Sequence, residues 1–73
     1  MTRLADMKPG CGGRVRQILG DDEISLRLLE MGVTPGVDIR VIGAAPLGDP
    51  LELQLRGYRL SVRKSEAARI ELE

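Results

Sequence analysis

The chain of 73 residues has no histidine, no phenylalanine and no tryptophan, with Cys11 its one cysteine and Tyr58 its one tyrosine. A single cysteine cannot close an intramolecular disulfide, and without histidine a Cys/His zinc site lacks its ligands. Cys11 also has no imidazole to take its proton, so a cysteine–histidine nucleophile is excluded. One aromatic ring cannot build the row of stacking platforms that single-strand nucleic-acid binders use. No apolar run approaches the roughly 18 residues that cross a bilayer. The first ten residues lack the long apolar stretch of a secretory signal, so a cytoplasmic protein without direct membrane insertion is expected.

Charge of one sign is missing too. Eleven basic residues balance eleven acidic ones, which argues against holding a polyanion by bulk charge. What remains is leucine, isoleucine and valine, and these must make the core. Residues 1–73 are expected to form one domain. A chain this short buries only about 60% of its unfolded surface, and here it has no staple to help.

The patterning gives short strands and one clear helix. KPGCGGR, residues 8–14, holds one proline and three glycines and reads as a dense turn. RVRQIL follows as a strand with room for a bulge, because Val15 and Ile18 do not alternate strictly. From Asp21 to Gly32 the pattern is helical. Asp21 or Asp22 can cap it, Ile24, Leu28 and Met31 share a stripe, and Glu23 and Arg27 stand in the favourable i, i+4 order. Gly32 ends the helix with Val33 folding back in a Schellman motif. TPGV then fits a type II turn, with Gly36 at the positive φ.

Three alternating runs come next: Val37, Ile39 and Val41; Leu51, Leu53 and Leu55; Tyr58, Leu60 and Val62. A tight turn at Arg56-Gly57 would set Leu55 opposite Tyr58, Leu53 opposite Leu60 and Leu51 opposite Val62, with every apolar side chain on one face. KSEAAR reads as one helical turn capped by Ser65, and IELE as a short closing strand. The expected fold is mainly β: a small barrel of about five strands, closed or nearly closed, with one short α-helix.

No reading of these residues yields a catalytic site. GCGGR matches no phosphate-loop pattern and precedes a strand rather than a helix, so a turn packed too tightly for side chains explains it better. Asp21, Asp22 and Glu23 suit the start of a helix more than a hard cation. No metal site, cofactor or enzymatic activity is expected. Arg56, Arg59, Arg63 and Lys64 form a basic stretch with no acid until Glu66; a solvated strand face is the plain reading, with an acidic protein partner and then RNA as the functional ones. Leu26 lies opposite the apolar stripe of the helix, and Leu47 sits in the loop APLGDP, residues 45–50, without a periodic partner. Both are expected to be exposed. Single exposed leucines are ordinary, and they are also candidates for a partner surface.

Three segments, RLLEMGVTPG (27–36), APLGDP (45–50) and RGYRLSVRKSEAARI (56–70), resemble the FeoA family in order and spacing, and the likeness extends from Leu4 to Leu72. The resemblance implies an SH3-like barrel, a module shared with the C-terminal domain of iron-dependent repressors. It also implies a small cytosolic accessory of the ferrous iron transporter FeoB. On that footing the partner is a FeoB-type transporter bound on its cytosolic side, nucleic acid is not expected, and weak self-association stays open. APLGDP becomes either a docking loop, with Leu47 as its apolar tip and Asp49 as its charged one, or a structural corner. The candidate partner-binding residues are Leu26, Leu47, Asp49 and Arg59. The alternative is a free-standing SH3-like module that binds nucleic acid or acts in iron-dependent transcriptional regulation.

Overall fold

Leucines at every second position from Leu51 to Leu55 form the middle of a meander whose register follows from that alternation. The computed structural model describes residues 2–73. Strand β1 (Thr2–Arg3) leads through a 3₁₀ turn (Leu4–Asp6) into β2 (Gly12–Ile18), helix α1 (Glu23–Glu30), β3 (Asp38–Ala44), β4 (Leu51–Leu55), β5 (Tyr58–Val62), helix α2 (Lys64–Ala67) and β6 (Ile70–Leu72). The strands form one sheet in the order β1-β6-β2-β3-β4-β5, and every pairing is antiparallel.

The β4–β5 register is the expected one: Leu51 faces Val62, Leu53 faces Leu60 and Leu55 faces Tyr58. Arg56 and Gly57 turn the hairpin with φ of 48° and 82°. Both values lie in the left-handed region that two-residue hairpins prefer, because it matches the twist of the strands. Gly32 has φ of 97°. It ends α1 as a Schellman motif, with Val33 N–H donating to Leu28 O and Gly32 N–H to Leu29 O, each at 3.0 Å. Val37 N–H then closes the Thr34–Val37 turn at 3.1 Å.

Leu4, Val15, Leu28, Val33, Val41, Leu53, Ile70 and Leu72 are fully buried, so the core is aliphatic throughout. The bulge in β2 falls at Arg16, between the pairs Val15–Leu72 and Gln17–Glu71. A bulge puts two consecutive side chains on the same flank of a strand. Gln17 thus donates to Glu71 at 2.9 Å while Arg16 stands 3.5 Å from the same carboxylate, and Glu71 is buried beneath them.

Several expectations need correction. Among the described residues there are six strands where about five were expected, because β1 pairs Thr2 with Leu72 and Arg3 with Glu71. A strand of two residues is too short to show alternation. Helix α1 begins at Glu23, with Asp22 and not Asp21 as its cap; the Asp22 side chain accepts from Ser25 N–H at 3.2 Å. Arg27 pairs with Glu66 across the fold instead of with Glu23. Ser65 does not cap α2: Arg63 precedes the helix, and Glu66 accepts the Arg63 N–H at 2.9 Å. Gly12 and Gly13 belong to β2 and not to the turn. A Cβ on Gly12 would sit 2.1 Å from Ile39 O, so glycine there allows β2 and β3 to approach. Among the described residues the ladder is linear, and β1 and β5 are its two ends. The barrel is nearly closed rather than closed.

Candidate partner-docking surface

Two elements that carry candidate residues are fastened to the same short helix. The loop 45–50 folds on itself, Gly48 N–H donating to Ala45 O at 2.7 Å and Ala45 N–H to Pro50 O at 3.0 Å. Asp49 then accepts from the Lys64 N–H at 2.9 Å, tying the loop to the start of α2. A carboxylate suits that position, because the first N–H groups of a helix have no partner inside it. On the other side, Glu66 of α2 pairs with Arg27 of α1. Leu47, 96% exposed, stands at the tip of the loop. Leu26, 55% exposed, is the neighbour of Arg27 on α1, and Leu29 is exposed beside it.

Electrostatics reinforce this frame. The Arg63 N–H and then the Arg27 guanidinium hold the Glu66 carboxyl below its ordinary range, against the opposing effect of partial burial. Asp22 is also held low, first by its hydrogen bond from Arg69 and then by the Ser25 N–H. Arg69 joins the end of the chain to the start of α1 in this way, 2.5 Å from Asp22. Ser25 is buried and donates to Leu19 O at 2.7 Å. These bonds fix both ends of the helix: the Tyr58 hydroxyl donates to Met31 O at the C-terminal end.

Arg59 lies elsewhere. It is exposed on β5 in a row across the outer face of the sheet, where Arg40 faces Gln54 and Gln54 faces Arg59. Among the described residues no hydrogen bond or ion pair ties it to the loop or to α1. The same face carries an open groove of about 490 Å³, lined by Gly12, Asp38, Arg40, Gln54 and Arg56 among others. Its lining is mixed, Ile39 and Leu55 lying among the polar residues, and it includes no thiol or hydroxyl side chain.

The structure ties the loop of Leu47 and Asp49 to α2, ties α2 to the helix that carries Leu26, and leaves Arg59 on the sheet. The role of Asp49 as an anchor gave no sequence signal, since its partner is 15 residues away. The Arg27–Glu66 pair was hidden by the more obvious helical spacing of Glu23 and Arg27. Tyr58 faces Leu55 in the expected register, yet it is 40% exposed, with its hydroxyl donating to Met31 O. Among the described residues no three of His, Cys, Asp or Glu gather as a metal would require, and no helix is long and apolar enough to cross a membrane.

Comparison with known proteins bears on this arrangement. The FeoA domain family matches residues 2–73. A fusion protein of Porphyromonas gingivalis, described as Fe(2+) transport protein A joined to the Fe(2+) transporter FeoB, is 35% identical over 71 residues. Those residues are 97% of this chain and 8% of the fusion protein. An NMR structure of a FeoA-like protein from Clostridium acetobutylicum is 38% identical, with a TM-score of 0.86 over 96% of this chain and 85% of that one. The crystal structure of Stenotrophomonas maltophilia FeoA, described as an SH3 domain protein complexed with zinc, is 28% identical; its TM-score is 0.87 over 100% of this chain and 91% of that one. Manganese-dependent transcriptional repressors at 16–17% identity and T. acidophilum IdeR at 23% share the fold alone.

Proposed function

The chain belongs to the FeoA family, and on that premise we propose that it is a non-catalytic accessory of ferrous iron uptake. It binds the cytosolic part of a FeoB-type transporter and modulates transport. One observation carries this reading: in the P. gingivalis relative a domain like this one and FeoB share a single polypeptide. Covalent linkage holds two partners at high effective concentration, and fused domains are natural candidates for contact when they are encoded separately. This chain spans only 8% of that relative, whose name includes the transporter, so transport itself is assigned to that partner.

The proposed contact is made by Leu26 and Leu47, with Asp49 fixing the loop and Arg59 supplying charge at the sheet. Apolar side chains standing free on braced backbone make efficient anchors, because little conformational freedom remains to be lost on binding. Two bonds to α2, Lys64 N–H to Asp49 and the Arg27 guanidinium to Glu66, brace both elements in this sense. Co-purification of the transporter with wild-type protein, and with Leu26→Glu and Leu47→Glu, tests the reading directly. Loss of the transporter from both variants with the fold intact supports it. Full retention by both removes the leucines from the interface.

A further inference from the structure

Strand β5 pairs with β4 on one side only and ends the sheet. Its register shows which of its backbone groups are free. In a two-residue hairpin the residues flanking the turn, Leu55 and Tyr58, form a hydrogen-bonded pair, and such pairs alternate with non-bonded ones along an antiparallel ladder. Leu53–Leu60 is therefore the next bonded pair, and Arg59 and Ser61 direct their N–H and C=O groups away from β4. The opposite side of the hairpin has the same parity: Val41 N–H donates to Cys11 O and its carbonyl accepts from Gly10 N–H, as required if Arg40 bonds to Gln54. Among the described residues no backbone group from elsewhere in the fold meets Arg59 or Ser61. Beyond them Arg63 is satisfied, its N–H by Glu66 and its carbonyl by the N–H groups of Glu66 and Ala67.

An open edge invites another strand, and the side chains here select which one. Arg59, Arg63 and Lys64 are exposed, and none has an ion-pair partner among the described residues. A second copy of the chain would bring a second set of the same uncompensated cations to this edge, and like charges close together across a strand pair are destabilising. On the inner face the edge is apolar: Leu60 is half-buried and Tyr58 is 40% exposed. We propose that β5 is a docking edge for an extended segment of a partner protein, about five residues long, that alternates acidic with apolar side chains. Its backbone pairs with Arg59 and Ser61. Its acidic residues lie on the outer face beside Arg59, and its apolar ones cover Leu60 and Tyr58. This inference goes beyond the leucine surface and does not depend on which protein supplies the segment.

The test uses the whole chain with a soluble ten-residue peptide alternating glutamate and valine, and the same peptide with lysine in place of glutamate. The glutamate peptide is expected to bind and to slow hydrogen exchange of the Arg59 and Ser61 amides, with the lysine peptide weaker by roughly tenfold or more. Ser61→Pro deletes the outward N–H, and proline is tolerated on an edge strand where that group faces solvent. It should keep the fold and lose binding, and Arg59→Glu should invert the preference between the peptides. Equal binding of both peptides, or unchanged exchange at Arg59 and Ser61 in the wild-type protein, overturns the proposal without any variant. Binding of a single-stranded oligonucleotide at these amides in preference to the acidic peptide overturns it as well.

Discussion

The Asp49 carboxylate accepts the backbone N–H of Lys64 at 2.9 Å, so the loop 45–50 and helix α2 are held as one unit. Its backbone bonds from Gly48 to Ala45 and from Ala45 to Pro50 are internal, and the Ala44–Leu51 pair of β3 and β4 holds its base. Asp49 adds the tie that joins the loop to α2.

Asp49→Ala should cost about 1 kcal/mol of stability, as losses of a capping acceptor do. Asp49→Asn should cost less, because its amide oxygen can still accept from Lys64. Urea denaturation of the three proteins measures the difference. Equal stability of all three would mean that the bond contributes nothing to the fold.

The core prediction separates folding from docking. Leu28 and Leu53 are fully buried, and truncation of either to alanine should cost about 2–5 kcal/mol. In a domain this small such a loss is a large part of the total stability. Leu26→Glu and Leu47→Glu should each change stability by about 0.5 kcal/mol or less, since both side chains stand in solvent. Thermal melts followed by circular dichroism distinguish the two classes.

Arg56 occupies a left-handed turn position with φ of 48°, where a side chain with a Cβ is disfavoured by about 1–2 kcal/mol unless it is asparagine or aspartate. Arg56→Asn creates the favoured Asn-Gly turn. It also removes the bond from Arg56 to Thr34 Oγ1 at 3.2 Å, an exposed contact of small value. A net gain of about 0.5–1 kcal/mol is expected, a rise in Tm of a few degrees for a domain of this size. A lower Tm would show that the Thr34 contact outweighs the turn.

Acid should loosen the brace around α2. Glu66 and Asp22 titrate below their ordinary values of 4.5 and 3.8 when folded. A carboxyl with a lowered folded pKa adds stability above its unfolded pKa, and the addition is lost as pH falls through the folded value. Wild-type stability should therefore decline as pH drops below about 4.5, with Glu66 leading and Asp22 following. Both groups lie near the surface, so the change is modest and salt weakens it. The double variant Glu66→Gln, Asp22→Asn should show a flatter profile of Tm against pH between neutrality and acid.

Much of this architecture was legible in the residues. The alternation of Leu51, Leu53 and Leu55 against Tyr58, Leu60 and Val62 determined a register, because a slip by one would turn every apolar side chain to solvent. Gly32 and TPG marked the end of α1 and the turn after it through the φ values they permit. Local patterning does not carry long-range pairings. Leu4 is fully buried in a 3₁₀ turn that no periodicity announces, and Glu71 is buried because a bulge in β2 brings Arg16 and Gln17 over it. Of the candidate surface, the exposure of Leu26 and Leu47 followed from the helix wheel and the loop. Their bracing through α2 did not, since Arg27–Glu66 and Asp49–Lys64 join residues 39 and 15 positions apart.

The central claim is that this small barrel docks on a FeoB-type transporter through Leu26 and Leu47. The most direct measurement is recovery of the detergent-solubilised transporter on immobilised wild-type protein and on the double variant Leu26→Glu, Leu47→Glu, with circular dichroism confirming that both are folded. The account predicts that wild type retains the transporter and that the folded double variant loses it, because buried apolar anchors carry most of an interface's energy. Equal recovery on the two folded proteins would contradict it.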